Sequence, residues 1–325
     1  MTAGIQSRPS LDVIGPEEYE ELVHRLSGIL REDSVAIGGS LPEGLGNSTS
    51  DLDLLWLTSM KDVPAFVPRF FWAGYRVDVE VYTRDQAGGM VWRIAETPAA
   101  GKPLAFSFWD LRLAHSLLHG LWIRQGRTRD SIASLASVSL AERTQELALR
   151  QLGLCWWVSE LALAAGRVWV AALHARETLA WGLAALLARV GETYVTMQAK
   201  WRYVQARRSL RDPAIAESFF SHEPLPRSAG EVRGHCGAIG ALLERHRLAT
   251  DRRPFLVTAP NVRTFGVGDT RVAIRDRLEG FFLDAPSAAL IERGRLETVR
   301  PEEVVDVTPA ELLSLVENGL IRARL

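Results

Sequence analysis

The sequence has almost no lysine. Of its 38 lysine and arginine residues only three are lysines, Lys61, Lys102 and Lys200. A GC-rich coding habit that writes arginine for every positive charge explains such a shortage, and it makes each surviving lysine a position worth inspecting. Cysteine is scarce too. Cys155 and Cys236 are the only two, and neither stands in a C-x-x-C pair, which excludes a disulfide framework. A charge excess is also missing. The net charge is -1 over 325 residues, so the chain as a whole is no polycation built to coat nucleic acid. Nor is there a long apolar run. The most apolar stretch, 152–190, is broken by Glu160, Arg167, Arg176 and Glu177, which leaves it short of the roughly 20 apolar residues of a membrane span. The first 15 residues lack a basic region followed by an apolar one, so no signal peptide and no membrane association are expected, and the expected location is the cytoplasm.

What is present is ordinary globular material, 47% hydrophobic and 24% charged, with length for two or three domains. A helix is expected from Pro16, with Glu17 and Glu18 in its first turn and Tyr19, Leu22, Val23, Leu26, Ile29 and Leu30 on one face. Residues 34–37 form a short apolar run that ends in Gly38-Gly39-Ser40. Asp51 to Leu57 and Arg76 to Tyr82 have strand patterns, the second with clean alternation, and a short helix is expected over 62–74. From about 105 the composition turns to Ala, Leu, Arg and Trp at helical spacing. Helices are expected over 105–124, 139–167, 168–190, 195–211 and 231–248, with a proline-containing loop over 212–230. Strands are expected at 255–257 and 271–274, and Thr308 with Glu311 has capping-box spacing before an apolar run. The expected class is α+β. A small α/β domain with a mixed sheet (1–103) precedes an all-α bundle (104–250) and a small α+β appendage (251–325), for which a winged-helix-like arrangement is one candidate.

The chemistry is concentrated between residues 38 and 80. Asp51 and Asp53, at i and i+2, point to one side of a strand, and Asp78 and Glu80 do the same on another. Carboxylates gathered at a strand edge repel one another unless cations sit between them, and an all-oxygen site suits Mg²⁺. Glycines in the Gly38-Gly39-Ser40 turn let the backbone approach a phosphate, to which N–H groups and the Ser40 hydroxyl can donate.

The stretch GGSLPEGLGNSTSDLDLLWLT, followed by RVDVEVY, resembles the nucleotidyltransferase superfamily of DNA polymerase beta type. The resemblance covers about 34–83 and is nearest to the bacterial antibiotic-type and standalone enzymes, in which a helical bundle follows a small catalytic domain. It implies that Asp51 and Asp53 ligate two Mg²⁺ ions and that Gly39 and Ser40 hold the triphosphate of an NTP. Ser50, the serine before the first Asp, is also usual in the family. The third carboxylate would bind one metal and help deprotonate the acceptor. The family's spacing favours Asp78 for that role, and Glu80 remains the alternative. The run from Tyr194 to Lys200-Trp201 resembles a bundle segment whose lysine reaches the triphosphate, which makes Lys200 the phosphate contact and Tyr194 a flank for the base.

The implied activity is transfer of a nucleoside monophosphate, AMP from ATP first, to a hydroxyl of a small-molecule acceptor, with release of pyrophosphate. Two alternatives stand beside it: transfer to a tRNA or a protein, with the arginine-rich helix 200–211 and the C-terminal appendage 252–325 as docking surfaces, and a non-catalytic nucleotide sensor. Homodimerisation through bundle faces stays open. His115 and His119, i and i+4 on a helix, read as polar surface or core residues rather than metal ligands. Trp156, Trp157, Trp169 and Trp181 read as core, and Cys155 as a small buried hydrophobe.

Overall fold

A computed structural model of the chain describes residues 16–29, 33–45, 50–59, 69–72, 74–96, 104–124, 135, 139–196, 199–222, 224–248, 254–267, 270–275 and 279–324. The helices, in chain order, are α1 (Pro16–Ile29), α2 (Arg84–Ala95), α3 (Phe108–His119), α4 (Leu140–Ala164), α5 (Val168–Arg189), α6 (Ala199–Ser209), α7 (Pro213–Ser221), α8 (Ala229–Arg245), α9 (Ala285–Leu296) and α10 (Pro309–Glu317). The strands are β1 (Ser34–Ile37), β2 (Leu52–Thr58), β3 (Arg69–Trp72), β4 (Tyr75–Thr83), β5 (Leu121–Arg124), β6 (Phe255–Thr258), β7 (Val262–Val267), β8 (Thr270–Arg275), β9 (Glu279–Leu283) and β10 (Ile321–Arg324).

The chain forms two compact units. One comprises Met1–Pro98, Leu104–Thr144 and Gly191–Ser209; the other comprises Ala99–Pro103, Gln145–Val190 and Leu210–Leu325. This grouping by compactness runs differently from the expected three-way division, because α3 and the segment 191–209 gather with the sheet.

The first unit holds a mixed five-stranded sheet in the order β3-β4-β2-β1-β5, in which only β2 and β4 run parallel. Its period-2 pattern sorts the side chains. Leu52, Leu54, Val77 and Val79 share a buried cluster with Val35, Ile37 and Leu22 of α1. Asp53, Asp78 and Glu80 therefore belong to the opposite face. α2 packs on β2 and β4, and α3 packs on β1. At the far end of β2 the buried Asp33 holds the pairing in register. Its carboxylate accepts from Trp56 Nε1 at 2.9 Å, Thr58 Oγ1 at 3.0 Å, the Ser59 backbone N–H at 2.9 Å and Ser59 Oγ at 3.2 Å. Burial alone would push its pKa up, but these four donors outweigh that and hold it below the usual range.

In the second unit four helices close around Gly182. A Cβ there would lie 3.2 Å from Leu152 of α4, 3.3 Å from Phe219 of α7 and 3.4 Å from Ile239 of α8. Beside them, β6 pairs with β10, and β7-β8-β9 form an antiparallel meander. Leu256, Ile291, Val299, Leu312 and Ile321 form a core against which Trp157 and Leu161 of α4 also pack. Among the described residues no helix is long and apolar enough to cross a membrane.

Several expectations give way to tertiary context. Residues 69–72 are an edge strand, not part of a helix over 62–74, because Arg69-Phe70-Phe71-Trp72 pairs with β4; residues 60–68 lie outside the described residues. The helix expected over 105–124 ends at His119, and 121–124 pairs with β1 instead. The expected loop 212–230 contains α7, which starts on an Asp212 cap with proline in its first turn. Helix α2 was hidden by Gly88-Gly89, yet Thr83 and Gln86 form a complete capping box at its start. α9, β7 and β9 were not expected either. The capping box at Thr308 and Glu311 is present as expected. Trp156 and Trp181 are buried, whereas Trp169 is 65% exposed and not a core residue.

Asp33→Ala should lower the unfolding free energy by about 1–3 kcal/mol at pH 7, measured by urea denaturation. The folded-state pKa of Asp33 is depressed, so its contribution is present above the unfolded value of 3.8 and is lost as pH falls further. The gap between wild type and variant should therefore close below about pH 4.

Candidate active site

The parallel register of β2 and β4 sets Asp53 directly opposite Asp78 and Leu55 opposite Glu80. Asp51 precedes β2 by one residue and shares the side of Asp53, and the partly exposed Ser50 stands just before it. Glu80 lies one pleat beyond Asp78, roughly 6–7 Å further along the strand. Four carboxylates thus occupy one patch, which the expected residues Asp51, Asp53, Asp78 and Glu80 share.

Above this patch, β1 ends in the glycine turn. The Gly38 backbone N–H donates to the Asp53 carbonyl at 2.8 Å, extending the β1–β2 ladder by one step. Gly39 then turns at φ 70°, and a Cβ on it would lie 1.9 Å from Asp53 Oδ2. Glycine is therefore required twice over at residue 39, for the left-handed backbone and for the carboxylate packed against it. Ser40 opens the tight turn that follows, where its carbonyl accepts from the Leu45 N–H at 3.0 Å.

Crowding has an electrostatic signature. Burial first, then the charges of Glu80, Asp78 and Asp51, push the Asp53 carboxyl up to about 6, against the pull of Arg112. Three guanidiniums offset part of the repulsion. Arg76 grips Asp78 in a two-pronged contact, Nη2 to Oδ2 at 2.9 Å and Nε to Oδ1 at 3.3 Å, and its Nη1 lies 3.6 Å from Asp51. Arg69, the cross-strand partner of Asp78, reaches it at 3.2 Å. Arg112 of α3 lies 3.3 Å from Glu80 and 3.9 Å from Asp53. On the same helix its guanidinium sits 5.5 Å from the ring of Trp109, which is 60% exposed.

A second set of contacts ties the glycine turn to the segment 191–196. His115 is buried, with Nε2 2.9 Å from the Glu43 carboxylate and Nδ1 2.8 Å from the Thr193 hydroxyl. Its ring packs against Tyr194 at 5.2 Å and His119 at 4.8 Å. Burial opposes ionisation of Glu43, but its bond to His115 and the charges of His115, His119 and Arg208 hold its pKa below the usual range. Arg208 Nη1 donates to the Glu43 carbonyl at 2.6 Å, and Gln205 donates to the Tyr194 carbonyl at 3.0 Å. Burial, along with the charges of Asp53 and Glu43, pushes the Tyr194 phenol up to about 12 against the pull of Arg112, so it is a neutral hydroxyl at physiological pH. Tyr194 thus belongs to the same unit and the same electrostatic neighbourhood as the acid patch. Lys200 lies on α6, in that unit as well; its side chain, like Lys61 and Lys102 entirely, lies outside the described residues.

Sequence reasoning missed Arg76, Arg112, Glu43 and the partners of His115, which is a buried polar residue as one of its two expected readings had it. Arg76 had a local signal, since it stands two residues before Asp78 on the same strand face. The other three depend on packing between segments far apart in the chain.

Neither a protein-family model nor a curated protein sequence matches this chain. Among solved structures it is similar to a nucleotidyltransferase-like protein from Exiguobacterium sibiricum 255-15. The match covers 72% of this chain and 76% of that one, at 14% identity and a TM-score of 0.40. A likeness of that size leaves the function to be read from the site itself.

Two outcomes follow from the crowding of Asp53. Gly39→Ala should abolish any activity of this patch and cost at least about 1–3 kcal/mol of stability, read by thermal unfolding beside a turnover assay. In EDTA, Asp53→Asn should be more stable than wild type at pH 8, by on the order of 2 kcal/mol. The folded pKa of about 6 lies above the unfolded 3.8, so the cost of the charge is complete above pH 6 and the difference should fade as pH falls toward 4.

Proposed function

We propose that the chain is a Mg²⁺-dependent nucleotidyltransferase that moves a nucleoside monophosphate, AMP from ATP first, onto a hydroxyl of a small-molecule acceptor and releases pyrophosphate. The observation that carries this reading is the Asp53 carboxylate, packed on the Gly39 turn and opposite Asp78. A phosphate-binding backbone and a carboxylate cluster then share one small patch.

The donor set fits the metal. It is all oxygen, and Asp53 sits at a cost, since burial first and then the charges of Glu80, Asp78 and Asp51 raise its carboxyl to about 6, a cost that a bound cation would offset. Asp51, Asp53 and Asp78 would hold two Mg²⁺ ions; Asp78 is preferred to Glu80 because it stands level with Asp53. Bound Mg²⁺ supplies charge neutralisation at the phosphates and a fixed line of displacement. The chain's own groups do the rest. The Gly39 and Ser40 turn binds triphosphate oxygens through N–H and hydroxyl donors. Asp78 accepts the proton of the acceptor hydroxyl, with Arg76 and Arg69 holding its orientation. Lys200 places a point charge on the triphosphate, and Tyr194 flanks the base. Positioning and electrostatics account for most of the rate under this reading.

The macromolecular alternative draws on the arginines of residues 200–211. Arg202 is buried and donates to the Thr196 carbonyl at 2.9 Å, and Arg208 binds the Glu43 carbonyl and Glu192. These side chains work inside their own unit, which favours the small-molecule reading over a docking stripe for nucleic acid. The protein's placement in the cytoplasm and any homodimer formation belong to the same proposal.

Incubation with labelled ATP, CTP, GTP and UTP, Mg²⁺ and a metabolite extract should yield one nucleotidylated small molecule by mass spectrometry. Asp51→Ala combined with Asp53→Ala should abolish it, and unchanged turnover in that variant overturns the assignment. Lys200→Ala should weaken triphosphate binding roughly tenfold, while Lys61→Ala and Lys102→Ala should leave it unchanged.

A further inference from the structure

Away from the acid patch, in the second unit, three side chains of different donor type converge. Cys155 comes from α4, and His174 and Glu177 come from one face of α5 at i and i+3. Cys155 Sγ lies 3.5 Å from Glu177 Oε2, His174 Nδ1 lies 3.1 Å from the same oxygen, and the three donor atoms all fall within 4.8 Å of one another. We propose that Cys155, His174 and Glu177 bind one borderline-soft divalent cation of the Zn²⁺ class, with water in the fourth position.

The spacing fits that ion. With zinc–sulfur and zinc–oxygen bonds of about 2.3 and 2.0 Å, a 3.5 Å separation of Sγ and Oε2 corresponds to an angle of about 109° at the metal. With a zinc–nitrogen bond of about 2.05 Å, the 3.1 Å separation of Nδ1 and Oε2 corresponds to about 100°. Both are near tetrahedral, and the third pair, Sγ and Nδ1, lies within 4.8 Å and has to draw in to about 3.6 Å for a tetrahedral angle when both bind. A thiolate, an imidazole and a carboxylate are the ligands Zn²⁺ takes, whereas Mg²⁺ has no use for a thiolate. Burial is graded in the useful direction. Cys155 is 7% exposed and forms the inner wall; the His174 and Glu177 side chains are 31% and 51% exposed and leave an entry path and room for water. Without the ion, the thiol donates to Glu177 and His174 shares the same carboxylate, so hydrogen bonds already gather the ligands. The Glu177 carboxyl is held below its usual range, by its bond to His174 first, and is ready as an anion. Burial, with Glu177 beside it, pushes the Cys155 thiol up, so cation entry must release its proton to solvent.

The test uses full-length chain freed of metal by a chelator and titrated with Co²⁺ as a spectroscopic probe. A near-ultraviolet thiolate-to-cobalt band should grow with tetrahedral visible bands, saturate at a single ion, and vanish on addition of Zn²⁺. Cys155→Ser should lose the near-ultraviolet band. His174→Ala, a surface change that leaves the helix intact, should weaken Co²⁺ binding roughly tenfold or more. Cys236→Ser should keep the band. So should the variant carrying Asp51→Ala and Asp53→Ala, which separates this site from the proposed active site. Absence of the band at saturating Co²⁺, its persistence in Cys155→Ser, or an unchanged affinity in His174→Ala overturns the proposal.

Discussion

The parallel pairing of β2 with β4 is the constraint on which the first unit turns. It places Asp53 against Asp78 at one level of the sheet and buries Leu52, Leu54, Val77 and Val79 behind them. The apolar face fixes the register, because a slip of β4 by one residue would turn Asp78 and Glu80 into the core. The glycine turn completes the arrangement, since Gly39 leaves its missing Cβ as the space that the Asp53 carboxylate occupies. Stability and chemistry conflict here. Burial and neighbouring charge raise the pKa of Asp53, and the folded chain carries that electrostatic cost.

The near-absence of lysine acquires a structural counterpart at this patch. Arg69, Arg76 and Arg112 converge on the carboxylates from an edge strand, the strand beside it and a helix. The two-pronged grip of Arg76 on Asp78 uses the planar guanidinium fork, which an ammonium group could not reproduce. Because the Asp78 partners are partly exposed, these pairs orient the carboxylate more than they stabilise the fold. The Glu43–His115–Thr193 contacts work differently. They centre on the buried His115 and join the loop after the glycine turn to a segment some 150 residues later in the chain, which gives Tyr194 a fixed place in the acid patch's unit.

The second unit is organised by close approach rather than by charge. Gly182 lets α4, α7 and α8 meet α5 at van der Waals distance, and the C-terminal strands and helices share a core with Trp157 and Leu161 of α4. That intimacy explains why the bundle and the C-terminal segment form one compact unit despite their change in composition.

Sequence alone determined the local parts: the strands expected at 51–57 and 76–82, which fold as 52–58 and 75–83, the glycine turn, the acidic pairs at 51/53 and 78/80, the long helices α4 and α5, and the cap at Thr308. Each follows from periodicity or backbone chemistry within a few residues. Tertiary structure decided what depends on partners. Residues 69–72 and 121–124 became strands because an open sheet edge offered hydrogen bonds that outweighed their local pattern. Arg112, Glu43 and His115 entered the candidate site because α3 packs on β1, and Cys155 met His174 and Glu177 because α4 lies beside α5. Spacing along a chain reports which groups share a face, but which faces meet is set by packing, and long-range packing leaves no short-range signature.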